Sequence, residues 1–348
     1  NHSLVFFKSG FFIMSTVHAY AATSPSSPLA PFTYELPPIA PEHVDIRVEY
    51  CGICHSDLSM LRNEWGFSTY PLVPGHEVVG HVEAVGSLVK NLKVGDRVGL
   101  GWFSESCMTC PQCMGGDHNL CGSGEGTIVG RHGGFADRVR AHWAWAIKLP
   151  DSLPAASAGP LFCGGITVFS PIVEFHVRPT DRVGVIGAGG LGHLAIQFLN
   201  KWGCEVTAFS STPDKADELM SLGTHRVVNS RDSEALKAEA GRFDFIISTV
   251  AVPLEWMTYV AALAPKGRLH TVGANPEPVA LNAFPLIMGQ RSFSGSPLGS
   301  PATTALMLEF CTRHGIAPMV EEFPLSEVNK AIDRLENGSP RYRVVLKA

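Results

Sequence analysis

Residues 182–202 carry the succession that most constrains the fold: an apolar run, a glycine string and a helical run. Arg182-Val-Gly-Val-Ile186 has the pattern of a buried strand, Gly187-Ala-Gly-Gly-Leu-Gly192 follows it, and residues 193–202 have a helical pattern. Glycines so spaced permit a tight turn, let backbone N–H groups approach a pyrophosphate and allow a helix to pack closely on its strand, with the helix N-terminus facing the phosphates. The chain has 35 glycines, so the string alone is a weak signal and its place between strand and helix carries the reading. The competing reading is a turn that merely packs a helix. Further strand patterns at 205–209, 226–228, 243–248 and 268–272 alternate with helical patterns at 213–222, 233–240 and 254–263. That alternation predicts an α/β unit with a doubly wound parallel sheet.

A different texture precedes it. Residues 37–150 are rich in Gly, Pro and short β-type runs, at 44–48, 78–85 and 96–100, which predicts a β-rich, barrel-like domain. After Gly295 the alternation loosens into helices near 303–314 and 326–336 and a last strand at 342–346, expected to return to the first domain. Within the β-rich part, Cys107, Cys110, Cys113 and Cys121 are spaced C-x2-C-x2-C-x7-C. Four thiolates at that spacing can close around one tetrahedral zinc. The loop between them is too polar and Gly-rich to fold alone. Disulfides and an iron–sulfur cluster are the alternatives. The absence of a secretory signal pattern argues against the first, and the spacing matches neither ferredoxin pattern. A closed four-thiolate site has no open position, so the chemistry is expected elsewhere.

A chain of 348 residues is long enough for two domains with sizeable cores. Its 45% hydrophobic and 17% charged residues fit a compact protein. A net charge of −5 gives no reason to expect nucleic acid or an anionic membrane surface as a partner. Nine cysteines, several at metal-like spacing, point to a reducing, cytoplasmic setting. Residues 1–13 are apolar but interrupted by Lys8 and Gly10, and too short to span a bilayer. They are expected to be an extension outside the fold, with Met14 a natural start.

The end of the second strand of the parallel sheet bears on the cofactor. A carboxylate there usually receives the ribose hydroxyls of NAD. Here the run is Val206-Thr-Ala-Phe-Ser210, then Ser211-Thr-Pro-Asp-Lys215. Small hydroxyls at Ser210 and Ser211 leave room for a 2′-phosphate, and Lys215 can neutralise it, so NADP is the expectation. A plain helix start, with Lys215 solvated, is the bland alternative. Asp214, one residue into the helix, should point away.

Other metal-ligand residue types are scattered: Cys51-Gly-Ile-Cys-His-Ser-Asp57, Gly75-His-Glu77 and Cys163. Alone, Cys163 could be a small buried hydrophobe, and Cys51 with Cys54 a redox pair. Together with the four-Cys loop and the glycine string, the sequence resembles the medium-chain zinc alcohol dehydrogenases, in the cinnamyl alcohol dehydrogenase and bacterial broad-range aldehyde reductase branch. The strings that carry the resemblance are Cys51-Gly-Ile-Cys-His-Ser-Asp-Leu58, Tyr70-Pro-Leu-Val-Pro-Gly-His-Glu-Val-Val-Gly80, residues 107–121, Gly133-Gly-Phe-Ala-Asp137, Cys163-Gly-Gly-Ile-Thr-Val168 and residues 187–192. They stand in order along the chain, and the resemblance runs from about Met14 to the C-terminus.

The resemblance implies a GroES-like catalytic domain over residues 14–157 and 296–348, and a Rossmann NADP-binding domain over residues 158–295. It implies that Cys54, His76 and Cys163 bind a catalytic zinc with one position left open. Cys54 is the choice because it directly precedes the His-Ser-Asp string, which leaves Cys51 a structural thiol. Glu77 would be a nearby, exchangeable carboxylate. Asp57 would hold the other nitrogen of His76 and fix its tautomer. Ser56 would pass a proton to the substrate oxygen, His55 would lie near the pyrophosphate, and Thr167 would line the nicotinamide. Gly187, Gly189, Gly190, Leu191 and Gly192 would cradle the cofactor, with Ser210, Ser211 and Lys215 at its 2′-phosphate.

The implied cofactors are NADP(H) and two zinc ions per chain. The implied activity is hydride transfer between the nicotinamide and an aromatic or medium-chain aldehyde, in a homodimer. Trp65, Met60 and Leu298 are candidates for an apolar pocket. A sugar-alcohol dehydrogenase would need several polar pocket groups, which the sequence does not display. A cofactor-binding regulatory protein on the same scaffold would lack the metal ligands, and a zinc-binding nucleic-acid module would need a basic patch. Two departures from the family pattern are visible. Ser59 stands where many relatives have a His that ends the proton path. Pro297 stands where relatives have a larger apolar residue, on a segment that borders the pocket and helps pair two subunits' sheets.

Overall fold

A computed structural model describes residues 15–275, 277–338 and 340–348. The expectation for residues 1–13, and Met14 as a start, lie outside the described residues. Two large sheets organise the chain. Numbered in chain order, the six strands of the first, Arg182–Ile186, Glu205–Ser210, Arg226–Asn229, Phe243–Ser248, Leu263–Thr271 and Ser292–Gly295, lie side by side as 3-2-1-4-5-6. Every neighbouring pair is parallel. The strand order reverses between the first and fourth strands, and in such a sheet a ligand binds beyond the carboxyl ends at that point.

The helix Gly192–Trp202 shows why the pattern folds this way. Leu194, Ala195, Ile196, Phe198 and Leu199 are buried, and Gly203 ends the helix in the left-handed region at φ 111°. Each large apolar side chain there contributes about 1.5–3 kcal/mol by leaving water. Truncating the fully buried Phe198 to Ala would cost about 3–5 kcal/mol.

The second sheet has seven strands. Val320–Pro324, Arg343–Lys347, His43–Ile53, Glu77–Val85, Arg97–Leu100 and Ile147–Lys148 follow one another, and Arg138–His142 pairs with His43–Ile53. The expected strand at 44–48 thus runs on to Ile53 and carries Cys51 inside it. The C-terminal strand lies antiparallel to it, with Val344 opposite Ile53 and Leu346 opposite Cys51. That pairing brings Arg343, near the end of the chain, beside the ligand-rich strings.

The two sheets meet through the helix Gly164–Glu174, which is buried nearly all round, as its uniformly apolar sequence requires. Its Ile166, Phe169 and Ile172 share one core with Val183 and Val185 of the parallel sheet and with Met307, Leu308 and Cys311 of the helix Pro301–His314. The helix Pro301–His314 therefore packs on this shared core rather than inside the barrel. Among the described residues no single helix is long and apolar enough to cross a membrane.

Candidate active site and metal centres

Each scattered ligand residue stands at the end of an element. Cys54 follows the strand His43–Ile53 and caps the helix His55–Arg62, where its Sγ accepts from the Ser56 N–H at 3.4 Å. Cys163 occupies the N-cap of Gly164–Glu174. A helix N-terminus favours negative charge, and the Ser56 N–H aimed at Cys54 Sγ favours the thiolate there. His76 and Glu77 open the strand Glu77–Val85 after Gly75, whose φ is +101°. A Cβ on Gly75 would lie 2.7 Å from the Phe135 backbone nitrogen, so only glycine permits this turn.

Cys54, His76, Glu77 and Cys163 converge, with one ligand-type atom from each lying within 4.8 Å of the others. Two thiolates ~2.3 Å from one tetrahedral ion stand about 3.8 Å apart, and a thiolate and an imidazole nitrogen somewhat closer. The Sγ atoms of Cys54 and Cys163 are 3.8 Å apart, and His76 Nε2 is 3.2 Å from Cys163 Sγ. The donor set therefore fits zinc in both chemistry and spacing. Shared hydrogen bonding from Cys163 holds the Cys54 thiol well below its ordinary range and raises that of Cys163. Cys51 is in neither group of metal-ligand residues. Its buried Sγ faces the Gly52 carbonyl at 3.6 Å, and burial pushes its pKa up.

Asp57, fully buried, organises the cluster. It accepts from the Cys54 N–H at 3.0 Å, the Gly75 N–H at 2.9 Å and His76 Nδ1 at 3.0 Å. In the neutral tautomer with its proton on Nδ1, His76 would turn the lone pair of Nε2 to the thiols. Burial opposes charge on His76, but Asp57 outweighs it and the imidazole pKa lies well above its usual value.

Glu77 is also fully buried. Burial raises its pKa, and the Arg343 guanidinium against one of its oxygens opposes that shift. The other oxygen, Oε2, has no hydrogen-bond partner among the described residues. Arg343 was not singled out by sequence reasoning. Besides Glu77 it donates to the Ile53 carbonyl at 3.4 Å, and a Cβ on Gly190 would lie 3.0 Å from its Nη1. One buried cation therefore links the carboxylate at the metal cluster to the glycine turn. No motif could have flagged it, since it stands 266 residues from Glu77 and only strand pairing joins them.

The glycine turn fits a dinucleotide. Gly187 has φ +86°, and a Cβ on Gly192 would lie 2.0 Å from the Gly187 carbonyl oxygen. Gly189 faces open space, the room a phosphate needs at a helix N-terminus. Leu191 is the N-cap residue of that helix. Thr167 lies one turn along from Cys163, its N–H donating to the Cys163 carbonyl at 3.0 Å. Ser56 is half-buried and His55 exposed.

At the tip of the second parallel strand the Ser210 hydroxyl is buried and bonds both the carbonyl and the N–H of Thr212, at 3.2 Å each, which closes the turn there. Ser211 and Thr212 are exposed, and Lys215 is half-buried.

The pocket candidates also divide. Met60 is fully buried in the barrel core, with its carbonyl accepting from Ser68 and Tyr70, so it lines no pocket. Trp65 reaches the site through Trp102. It meets Trp102 edge-on at 5.8 Å, and Trp102 meets the His76 ring edge-on at 5.1 Å. Trp102, which sequence reasoning missed, lines a small cavity with Leu298.

The four-Cys loop closes on itself. Cys107 and Cys113 Sγ are 4.0 Å apart, Cys110 and Cys121 3.9 Å, far beyond a disulfide and at tetrahedral zinc spacing. Backbone N–H groups of Thr109 and Cys110 point at Cys107 and bring its thiol down to about 5. Asn119 of this loop donates to the Pro297 carbonyl at 3.0 Å.

Comparison with known proteins agrees with this geometry. Residues 40–151 match the family described as the alcohol dehydrogenase GroES-like domain, and residues 190–313 the family described as zinc-binding dehydrogenase. Aldehyde reductase AdhA from Synechocystis is 57% identical over 95% of this chain and 98% of its own. Among solved structures, a cinnamyl alcohol dehydrogenase of Sorghum bicolor superposes with a TM-score of 0.91 at 39% identity, over 96% of this chain and 98% of that one. The cinnamyl alcohol dehydrogenase of Helicobacter pylori, solved with NADP(H), has a TM-score of 0.89 at 30% identity, over 96% and 99%. The chain thus belongs to the zinc-binding medium-chain alcohol dehydrogenases, in their cinnamyl alcohol dehydrogenase-like branch, and is an oxidoreductase of the alcohol dehydrogenase and aldehyde reductase class.

Proposed function

We propose that the chain is a zinc-dependent, NADP(H)-dependent reductase of aromatic or medium-chain aldehydes, able to run backwards on the alcohols. The observation that carries this reading is the Cys54, His76 and Cys163 cluster at tetrahedral spacing, joined through Arg343 to an open glycine turn. Cys54, His76 and Cys163 would hold a catalytic zinc, with Glu77 an exchangeable fourth ligand, and Cys107, Cys110, Cys113 and Cys121 a structural one. When bound, zinc supplies Lewis-acid polarisation of a carbonyl oxygen and the nicotinamide supplies hydride.

The chain's own residues do the rest. Asp57 keeps His76 in one tautomer and one orientation, and Ser56 moves a proton to or from the substrate oxygen. Gly187, Gly189, Gly190, Leu191 and Gly192 approach the pyrophosphate with His55, and Thr167 borders the nicotinamide. Ser211 and Lys215 meet the 2′-phosphate, where the strand tip offers no carboxylate. Trp65, Trp102 and Leu298 exclude water, and the two indoles present flat apolar faces, which suits an aromatic aldehyde better than a polyol.

We extend the reading to a two-fold dimer. Ser292–Gly295 is the edge strand of the parallel sheet, and Phe284, Ile287 and Met288 on the helix just before it are 67, 68 and 69% exposed. An uncovered sheet edge beside an exposed apolar helix face invites a partner. Pro297 lies two residues past the strand, so its missing N–H removes nothing from that ladder.

The test is kcat/KM for a panel of aromatic, aliphatic and sugar-derived aldehydes with NADPH and with NADH. The reading expects aromatic or medium-chain aldehydes with NADPH to lead. A preference for sugar substrates, or equal use of the two cofactors, would overturn it.

A further inference from the structure

Ser56 cannot store the proton it handles. A hydroxyl that takes a proton from an alcohol must pass its own onward in the same event. The next groups along the helix His55–Arg62 therefore decide where the proton goes. Residues three apart on a helix lie on one face with Cβ atoms about 5–6 Å apart, a gap that two hydroxyls close directly or through one water. Ser59 is three residues from Ser56 and half-buried. Its hydroxyl donates to Glu64 Oε2 at 2.6 Å, a short, charge-assisted hydrogen bond. Glu64 is exposed. Its other oxygen faces Arg62 Nη1 at 3.7 Å, and Arg62 also pairs with Glu336. The helix ends here, with Asn63 at φ 55° and the Glu64 N–H donating to the Ser59 carbonyl at 2.9 Å. That turn holds the carboxylate back over Ser59.

We propose that Ser59 and Glu64 form the outer half of a proton relay that starts at Ser56 and ends in solvent. The inference rests on the role assigned to Ser56 above. In alcohol oxidation the two electrons leave with hydride to the nicotinamide, so one proton remains. The alcohol O–H proton passes to Ser56 as the Ser56 proton moves to Ser59. The Ser59 proton moves to Glu64, and the carboxylic acid so formed releases it to water. Every bond broken is an O–H, each is replaced by another O–H, and no further reactant is needed. Reduction runs the same string inward. A carboxylate at the mouth then exchanges the reaction's proton with solvent, in place of the imidazole that the sequence lacks at position 59.

The competing role for Glu64 is structural, as a clasp on the helix end. Glu64→Gln separates the two, because the amide oxygen can still accept from Ser59 but cannot carry a proton. The experiment is a stopped-flow single turnover of alcohol oxidation by the zinc-loaded enzyme, reading NADPH fluorescence and proton release by an indicator dye. In dilute buffer, Glu64→Gln is expected to slow proton release by about 10²-fold, the low end for a positioned proton-transfer group. Added formate or imidazole should restore it in proportion to concentration, with the melting temperature and the KM for NADP unchanged. Ser59→Ala should slow release similarly. Wild-type proton release in Glu64→Gln at every buffer concentration would overturn the relay. A slow variant that small acids and bases do not rescue would overturn it too, leaving Glu64 a clasp. If wild-type enzyme itself oxidises no alcohol with NADP, the underlying functional reading fails instead.

Discussion

Asp57→Asn probes the organisation of the metal cluster in a way the geometry lets us work through. Asp57 accepts three hydrogen bonds: Oδ1 takes the Gly75 N–H and His76 Nδ1, and Oδ2 takes the Cys54 N–H. An amide offers one acceptor oxygen. In its better orientation that oxygen keeps Gly75 and His76, and the NH2 group confronts the Cys54 N–H. The Cys54 N–H and the new NH2 group are then both left unpaired, each costing about 1–3 kcal/mol of stability. His76 also loses the negative charge behind Nδ1, so Nε2 becomes a weaker ligand. Outer partners of this kind are worth about 10–100-fold in metal affinity or activity, or roughly 1.4–2.7 kcal/mol at 1.4 kcal/mol per tenfold. The assay combines competition for zinc by a fluorescent chelator, kcat on one aldehyde, and thermal melting. The expected result is activity that requires about 10–100-fold more free zinc than in the wild type, with a modest fall in melting temperature. Wild-type zinc affinity together with a wild-type melting temperature would refute the reasoning, because the three bonds would then be contributing nothing.

Three further outcomes follow from the same site. Cys163→Ser and His76→Ala should each remove nearly all turnover while leaving NADPH binding, read by fluorescence titration, largely intact; Cys51→Ser should be mild, and the reverse ranking of Cys51→Ser and Cys54→Ser would show the wrong ligand was chosen. Ser211→Asp should reverse the preference for NADPH over NADH in kcat/KM by repelling the phosphate and supplying a ribose acceptor, and Lys215→Ala should weaken NADPH far more than NADH; an unchanged preference in both variants would move the phosphate site elsewhere. Light scattering at micromolar concentration should report a dimer, which Ile287→Glu on the exposed helix face should dissociate; a monomeric wild type would leave Phe284, Ile287 and Met288 unexplained.

Local patterns were legible in the sequence and distant pairings were not. The strand, glycine turn and helix of residues 182–202 are contiguous, so periodicity and glycine spacing sufficed to read them. The four-Cys loop was legible for the same reason. The sixth parallel strand, Ser292–Gly295, has only four residues and no alternation, and it escaped notice. The helix Gly164–Glu174 was read as a motif rather than as a helix, because burial on all sides erases the amphipathic period and Pro171 interrupts it. Arg343 reaches Glu77 only because the C-terminal strand pairs with His43–Ile53, which no local rule predicts. Met60 looked like a pocket residue because an apolar side chain near a catalytic string can face either way, and here it faces the core.

The two ligand clusters should hold metal in different ways, one closed by four thiolates and one left open for substrate. Metal analysis of fully active protein during timed dialysis against a chelator tests it most directly. Two zinc ions per chain are expected at the start, matching the two ligand clusters. One should leave first, taking activity with it while circular dichroism stays native, because an open site admits the chelator and a closed one does not. Fully active protein with a single zinc, or loss of activity only when the fold itself is lost, would contradict the account.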